Sequence, residues 1–282
     1  MRPYIILALL GALLLTACNG VTVGETPIGA LQTERISVPA PDADAATLNL
    51  KFGASDSFRL RPGAESLVEG SVQYNIDQLK PVVTTSGDEV TIEQRARNLN
   101  LSTKLRNRWD LRISDAVPMS LNVDAGAYKG TYDLGGLRLR AVDVNQGAAE
   151  SSYDFSQPNP EQMDHLAFSS GAASVELSNL ANANAGRMSF DVAAGSYTLD
   201  FGGALARSVA VDVKAGASSL TIHVPRGTPA RVSIAGGLNS ADLVGFSGAG
   251  DKQYVNQSWD ETRPHVDVKV DSAIGSVRLV SQ

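Results

Sequence analysis

Acidic side chains recur at one position of an internal repeat, four residues before a small residue that is usually glycine. If successive repeats stack as neighbouring strands about 4.8 Å apart, Asp191 and Asp212 become neighbours on an outer face. Carboxylates that stand side by side repel one another, so Asp143, Asp191 and Asp212 form a candidate ladder for a cation or a basic partner. A solvated polar face is the simpler interpretation, because the same position also holds other residues: Asn122, Ala167, Ser233 and Lys269.

The same acids could instead belong to an enzyme that processes polysaccharides. Carbohydrate-active β-helices also use acids on an outer face, but they need cationic and carboxylate groups that converge in a groove. A groove that combines Asp191 and Asp212 with Arg or Lys would therefore favour an enzyme, whereas a flat ladder would favour a binding protein.

Basic residues concentrate in a second segment, over residues 95–112, in which Asp110 is the only acid. In an acidic protein such a cluster could bind phosphates of lipid headgroups or anionic envelope polymers. The alternative is that the charges alternate outward while Trp109 and Leu111 point inward. The candidate patch for an anionic partner consists of Arg95, Arg97, Lys104, Arg106, Arg108 and Arg112.

The sequence contains no recognisable signature of catalysis or of cofactor binding. The three histidines, at 165, 223 and 265, are not at metal-ligand spacing, and a single cysteine supports no disulfide framework. There is no phosphate-binding loop, EF-hand loop or dinucleotide fingerprint. A Ser-His-Asp triad assembled from distant positions stays open. The net charge of -6 argues against a nucleic-acid partner. We therefore predict no metal, no cofactor and no enzymatic activity.

The elements that must position these residues form a repeat: an apolar residue, two small or polar residues, a glycine, and then an alternating strand. The repeat glycines from Gly126 to Gly237 are 21, 24, 24, 21 and 21 residues apart. This period is too short for a propeller blade of about 40 residues. It fits one turn of a β-solenoid, in which like positions stack from rung to rung.

The predicted fold class is therefore all-β, a right-handed single-stranded β-solenoid with rungs of about 21–24 residues. An antiparallel β-sandwich with hairpins at this spacing is the alternative. The last repeat, around Ala273, follows Gly237 after 36 residues. This longer step predicts an inserted loop at about residues 245–264.

Several segments, in their order along the chain, resemble the bacterial toast-rack family. The earliest are at 67–70 and 74–75, followed by NRWDLRI at 107–113, VPMSLNVDAGA at 117–127, LGGLRL at 134–139, the Gly-Ala repeats and YVN at 254–256. The resemblance covers nearly all of residues 46–280. It implies a β-solenoid-like fold in an extracytoplasmic setting, with no catalytic residues and no defined activity. Related domains occur in membrane proteins of the envelope-stress response, but this chain shows no transmembrane helices, which argues against a direct signalling role.

The N-terminal segment has the layout of a lipoprotein signal peptide. Arg2 is followed by an apolar run, and Ile5 to Ala17 is 13 residues, or roughly 20 Å of helix. That length is too short to span a hydrocarbon core of about 30 Å. The run ends in LTAC, which resembles the bacterial lipobox with Cys18 as the lipidated residue. We expect a signal peptide over 1–17, lipidated Cys18 with a flexible tether over 18–45, and one domain over 46–282.

The sequence thus predicts a non-catalytic, lipid-anchored cell-envelope protein that acts as a binding or structural module in surface adhesion or envelope stress. We expect it outside the cytoplasm, at the outer membrane or the outer cell surface. Its expected partners are the membrane, through the lipid at Cys18, and an envelope protein, a glycan or an anionic polymer. The alternative is a polysaccharide-processing enzyme of the β-helix kind.

Overall fold

The described part of the chain is all-β, and its strands form one open sheet. The computed structural model describes residues 28–95 and 104–282, with only the backbone at residues 238 and 239. Within these ranges the helical elements are two 3₁₀ turns, at Asp77–Leu79 and Leu180–Ala183. None of the helices in the described ranges is both long enough and apolar enough to cross a membrane. The prediction of an all-β, solenoid-like fold is confirmed at this level.

The sheet contains 15 strands. In chain order they are β1 (Gln32–Val38), β2 (Ala46–Pro62), β3 (Val68–Tyr74), β4 (Val82–Ser86), β5 (Glu89–Glu93), β6 (Asn107–Ile113), β7 (Met119–Asp133), β8 (Leu139–Asp154), β9 (His165–Ser178), β10 (Arg187–Asp200), β11 (Val209–Val224), β12 (Ala230–Val244), β13 (Phe246–Gly250), β14 (Gln253–Asn256) and β15 (Val266–Ser281).

Eight of these strands are long and run parallel, in the spatial order β2, β7, β8, β9, β10, β11, β15 and β12. From β7 to β11 the register places Leu121 beside Val142, Val142 beside Leu166, Leu166 beside Met188 and Met188 beside Val211. The steps are therefore 21, 24, 22 and 23 residues. Each step is one strand together with its connection.

Most of these long strands bend once near the middle, so that both arms of the strand face the same core. In β11 the buried residues are Val209, Val211 and Val213 before the bend, and Leu220 and Ile222 after it. Side chains of a straight strand alternate strictly, so the change from odd to even positions marks a corner between the arms. The same change of parity occurs in β7, β8, β9, β10 and β15. We call the part before the bend the first arm and the part after it the second arm.

The connections between the long strands close the third side of the core. Phe155, Leu180 and Phe201 point inward from three successive connections and are fully buried. Buried asparagines satisfy the backbone there: the Asn159 Nδ2 donates to the Leu139 carbonyl oxygen at 2.7 Å. Because the connections are hydrogen-bonded in this way, their backbone polar groups can lie against the core at low cost.

The corner between the arms is glycine in six of the eight long strands because neighbouring strands approach closely there, and Ala193 and Ala273 occupy it in β10 and β15. A Cβ on Gly147 would lie 2.8 Å from the carbonyl oxygen of Gly126, and one on Gly171 would lie 2.9 Å from that of Gly147. A Cβ on Gly126 would be closer still to the carbonyl oxygen of Gly53. Gly53, at the same level of β2, has no atom within 4 Å of its Cβ position. The repeat glycines are therefore required by the stacking of one strand on the next.

Shorter strands cover the two ends of the stack; β5 and β6 pair in parallel with β2, and the remaining pairings of these strands are antiparallel. Beyond the second arm of β2 lie β6, β3 and β1, and β5 and β4 lie beyond its first arm. The prediction of a flexible tether over 18–45 is wrong for residues 32–38, because they form β1 and pair with β3. Apolar Ile36 and Val38 are buried in this pairing, so the folded body begins before residue 46.

The other end departs from simple stacking in chain order. The last strand, β15, lies between β11 and β12 in the sheet. Along the chain β12 comes before β15, and the paired residues of these two strands are 36 positions apart. The segment predicted as an inserted loop, 245–264, contains β13 and β14, and β14 pairs with residues 231–233 of β12. The chain therefore leaves β12, forms this hairpin, and returns to fill the space between β11 and β12.

Aromatic side chains stack along the core from strand to strand. The rings of Tyr132 and Tyr153 are parallel with centroids 4.2 Å apart, and the Tyr128 hydroxyl lies 2.8 Å from that of Tyr153. Gln146 accepts from Tyr128 at 2.5 Å and from Tyr153 at 3.1 Å. Burial raises the pKa of both Tyr132 and Tyr153 well above the ordinary value.

The corner glycines give a direct test of the stacking. Gly126→Ala should destabilise the protein by about 1–3 kcal/mol, since the added methyl group meets a backbone carbonyl that cannot move independently of its strand. Gly53→Ala, the matched control on the neighbouring strand, should be neutral or slightly stabilising. The midpoint of urea unfolding measures both. Equal losses in the two variants would contradict the close approach at this corner.

The buried tyrosines predict a loss of stability in alkali. Unfolded tyrosine loses its proton near pH 10, whereas Tyr132 and Tyr153 keep theirs to higher pH in the folded protein. Above about pH 10 the unfolded state therefore binds fewer protons, and the free energy of unfolding falls as pH rises. Tyr132→Phe should reduce the slope of the unfolding midpoint against pH. Phe190→Leu, the control, should lower the unfolding midpoint at every pH without changing that slope. An unchanged slope in Tyr132→Phe would contradict the raised pKa of the buried tyrosine.

Candidate functional site

The outer faces of the first arms form a groove that runs across the parallel strands. Its volume is about 1070 Å³, and it extends from β2 to β12. Eight strands at about 4.8 Å spacing give it a length of roughly 34 Å. Its charged side chains are Lys51, Asp124, Asp143, Arg187, Asp191, Asp212, Lys214, Lys269 and Asp271.

Alternation along each first arm creates the groove, because every second side chain points away from the core. The register then aligns these side chains into rows across the strands. The middle row contains Asn49, Asn122, Asp143, Ala167, Ser189, Asp212, Lys269 and Ser233. The corner row, two residues later, contains Lys51, Asp124, Asn145, Ser169, Asp191, Lys214, Asp271 and Ala235.

The predicted pairing of Asp191 with Asp212 is wrong. Asp212 lies beside Ser189 in the middle row, and Asp191 lies beside Lys214 in the corner row. The reason is Gly195, which has φ +126° and pairs with Ala173 rather than with Gly171. Aligning Gly195 with the repeat glycines of the neighbouring strands therefore misplaces every residue of β10 by two positions.

Two of the predicted acids have side-chain partners: Asp212 forms an ion pair with Arg187 of the groove, and Asp143 lies within hydrogen-bond distance of His165. The Asp212 Oδ2 lies 3.2 Å from the Arg187 Nη2, and the Asp143 Oδ2 lies 3.0 Å from the His165 Nε2. The side chains of Asp212 and Asp143 are 40% and 47% exposed, so each pair is worth at most about 1 kcal/mol. Among the described residues, no three histidine, cysteine or acidic side chains come together as a metal site.

The groove nevertheless combines acids with cations. Lys214 stands beside Asp191, and Lys269 stands beside Asp212. This is the combination that the sequence analysis required of a polysaccharide-processing site. Within each row no two like charges are neighbours, and each carboxylate has a cation or a neutral polar group beside it. Such a surface offers hydrogen-bond donors and acceptors at every strand.

The candidate patch for an anionic partner contains several ion pairs. Arg108 Nε lies 2.9 Å from Asp56 Oδ2, and the Arg112 Nη2 lies 3.1 Å from Glu69 Oε2. Arg95 pairs with Glu93 at 2.5 Å.

The acids come mostly from neighbouring strands or turns that the sequence pattern did not connect with the basic segment. A backbone hydrogen bond from Ser66 and, more weakly, the Arg112 charge lower the pKa of Glu69. On β6, Trp109 is buried between outward charges, as alternation predicted. Arg106 precedes β6, and its backbone N–H donates to the Asn75 Oδ1 at 2.8 Å. Arg97 lies outside the described residues, as does Cys18. Binding of an anionic partner to the patch stays a prediction.

A row of exposed serines on the second arms was missed by the sequence analysis. Its members are adjacent in the register from β9 to β12, and they are Ser174, Ser196, Ser219, Ser276 and Ser240. The hydroxyls of Ser219 and Ser276 lie 3.1 Å apart. Four of these serines follow the repeat glycine or Ala273 of their strand by three positions, and this offset is the signal that could have revealed most of the row; Ser196 follows Gly195 by only one position because of the shift in β10.

Comparison with known families agrees with the strand pattern. Residues 28–178, from the approach to β1 through β9, match the family described as the N-terminal domain of toast_rack, DUF2154. The chain belongs to the toast-rack family. In this toast-rack protein, β10, β11, β15 and β12 extend the matched part in the same parallel sheet. No curated protein matches it significantly in sequence.

Two solved structures are similar to the toast-rack protein to different degrees. A candidate cell adhesion protein from Clostridium sporogenes has 17% identity, and the alignment covers 90% of this chain and 100% of that one with a TM-score of 0.53. A candidate adhesin from Bacteroides fragilis has 11% identity, with 91% and 100% of the two chains covered and a TM-score of 0.39. At this identity the first similarity establishes a common fold.

Proposed function

We propose that this toast-rack protein is a non-catalytic, lipid-anchored binding module of the cell envelope that holds its ligand in the groove. The observation that carries the proposal is the groove itself, which is about 1070 Å³ in volume and lined by charged and polar side chains. These side chains project from hydrogen-bonded strands, so their spacing is fixed before a ligand arrives, which reduces the entropy lost on binding. The similar structure from Clostridium sporogenes is described as a candidate cell adhesion protein, which supports a role at the cell surface.

The position of the N-terminus supports a defined orientation on the membrane. The Gly29 N–H donates to the Asn75 carbonyl oxygen at 2.8 Å, so the chain joins the body at the β1 end. Cys18 precedes Ile28 by ten residues, which can span at most about 35 Å. A lipid on Cys18 would therefore keep the β1 end near the bilayer, while the stacked strands and the groove extend away from it. We also propose a right-handed coil, since parallel crossovers are right-handed in nearly all proteins.

This arrangement favours adhesion over stress signalling. A rigid stack displayed from a lipid anchor presents its groove to envelope material beyond the membrane, at the outer membrane or outer cell surface. Partners would be the membrane, through the lipid at Cys18, and a glycan, anionic polymer or protein of the envelope.

A second candidate function is polysaccharide processing. It is favoured by one observation, the presence of Arg187, Lys214 and Lys269 among the acids of the groove. An enzyme would release new reducing ends or unsaturated ends from the polysaccharide, and Asp191→Asn or Asp212→Asn would abolish that release. A binding module retains the polymer and releases neither product.

The groove predicts a binding site that one bulky side chain can block. Ser169 is exposed in the corner row at the centre of the groove, and Ser174 is exposed on the second arm of the same strand. In detergent, which removes the contribution of the lipid anchor, Ser169→Trp should reduce co-sedimentation of the full-length protein with detergent-insoluble envelope material at least about tenfold, a loss of 1.4 kcal/mol. Ser174→Trp is the matched control and should leave it unchanged. Equal co-sedimentation of the two variants would contradict binding in the groove.

Lipid attachment predicts a second outcome. Full-length protein produced in bacteria grown with a clickable fatty acid should carry the label and remain with the membranes. Cys18→Ser should lose the label and leave the membrane fraction, because acyl chains provide about 0.8 kcal/mol per buried methylene. Asn19→Gln, as control, should keep the label. Membrane retention of unlabelled Cys18→Ser would contradict anchoring at this residue.

A further inference from the structure

The groove repeats its chemistry at one fixed distance. The middle and corner rows present one side chain per strand, and neighbouring strands are about 4.8 Å apart. A polymer that lies along the groove contacts each strand in the same way only if its own repeat matches that distance. A polymer whose repeat differs from that distance by about 2 Å loses register within two or three strands, whereas flexible side chains absorb a difference of a few tenths of an ångström per strand over most of the seven intervals between β2 and β12.

Polypeptides fit this spacing poorly. In an extended peptide, the side chains on one face recur about every 6.7 Å. This distance exceeds the strand spacing by about 2 Å, so successive side chains of the peptide cannot each meet the same position of a strand. A polyproline helix advances about 9.3 Å per turn, which is near two intervals, but grooves that bind it are lined with aromatic rings. Among the residues that the structure describes, the aromatic ones that border this groove are Phe168 and Phe190, and both are buried in the core.

The charges of the groove exclude strongly charged polymers. Among the described residues, four basic and five acidic side chains line it, and no two like charges are neighbours within a row. A polyanion would meet Asp124, Asp143, Asp191, Asp212 and Asp271, and the cost of bringing like charges together would cancel its attraction to the cations. A polycation meets the same difficulty with the lysines and Arg187. A ligand with no net charge and many hydroxyl groups can hydrogen-bond to both kinds of side chain.

We propose that the groove binds an uncharged glycan strand that lies across the β-strands with about one sugar ring per strand. An extended chain of equatorially linked pyranose rings advances by close to one strand spacing per ring, so its hydroxyl groups meet the two rows in register. Carboxylates and the amides of Asn122 and Asn145 hydrogen-bond to hydroxyls. The inference rests on the proposed function of the groove and adds the chemical class of its ligand.

The length of the oligosaccharide provides the test. Calorimetry would measure binding of uncharged β-1,4-linked glucose and N-acetylglucosamine oligomers, from two to eight residues, to the full-length protein in detergent. Affinity should rise at least about tenfold from the dimer to the hexamer, because each added ring meets another strand, and it should stop rising once the groove is full. Ser169→Trp should remove the binding and Ser174→Trp should keep it. The binding should change little between low and high salt, since neither partner carries a large net charge.

Other results would overturn the inference in distinguishable ways. Failure of both oligomer series to bind, while envelope fractions still bind wild type and not Ser169→Trp, would reject the uncharged glycan and leave the binding function intact. A preference for polyuronate or heparin that weakens with salt would also reject it, in favour of a polyanion. Loss of the difference between the two variants on envelope fractions would remove the proposed function together with the inference.

Discussion

The close approach of neighbouring backbones at the corner is the constraint on which this architecture depends. Each first arm can share a core with its second arm only if the strand turns by the same amount at the same level as its neighbours. The carbonyl oxygen of one corner then lies where the next corner would place a Cβ, as between Gly126 and Gly147. Glycine at the corner permits the stacking, and the stacking aligns the outward side chains into rows. The groove is therefore a consequence of the corner, because the aligned outward rows form its floor.

The sequence was sufficient to predict the class of fold but not the register. Alternation and the recurring glycines indicated stacked strands, because both signals are local and periodic. The register failed at β10, where Gly195 has a positive φ and serves a different backbone position from Gly171. Two physical requirements, conformational freedom and close approach, select the same residue, and the sequence alone does not distinguish them. A shift of two residues keeps each side chain on its face, so alternation gave no warning of the error, and it separated Asp191 from Asp212.

The ends of the stack could not be predicted for a different reason. Placing β15 between β11 and β12 joins segments that are distant along the chain, and no local pattern encodes that choice. Buried Val268 and Val270 would suit a rung at any level of the stack. The insertion also affects folding, because β12 cannot join the sheet through β15 until the hairpin has turned the chain back. A solenoid that stacks in chain order can grow from neighbour to neighbour, but this end depends on non-local contacts, which form slowly.

The β13–β14 hairpin covers only part of the outer edge of β12, and the uncovered part could contact another molecule. The hairpin pairs with residues 231–233 only, so residues 235–244 have a partner strand on one side alone. Ala241 is exposed there, whereas its register partner Val277 is buried. With the N-terminus joined at the β1 end, this edge and the hairpin lie at the end of the sheet far from the proposed anchor. The groove opens along the side of the stack and the edge along its far end, so a polymer in the groove and a contact at that edge would occupy different surfaces. A ligand that repeats with the strands suits the side, because only there does the protein present the same chemistry at regular intervals.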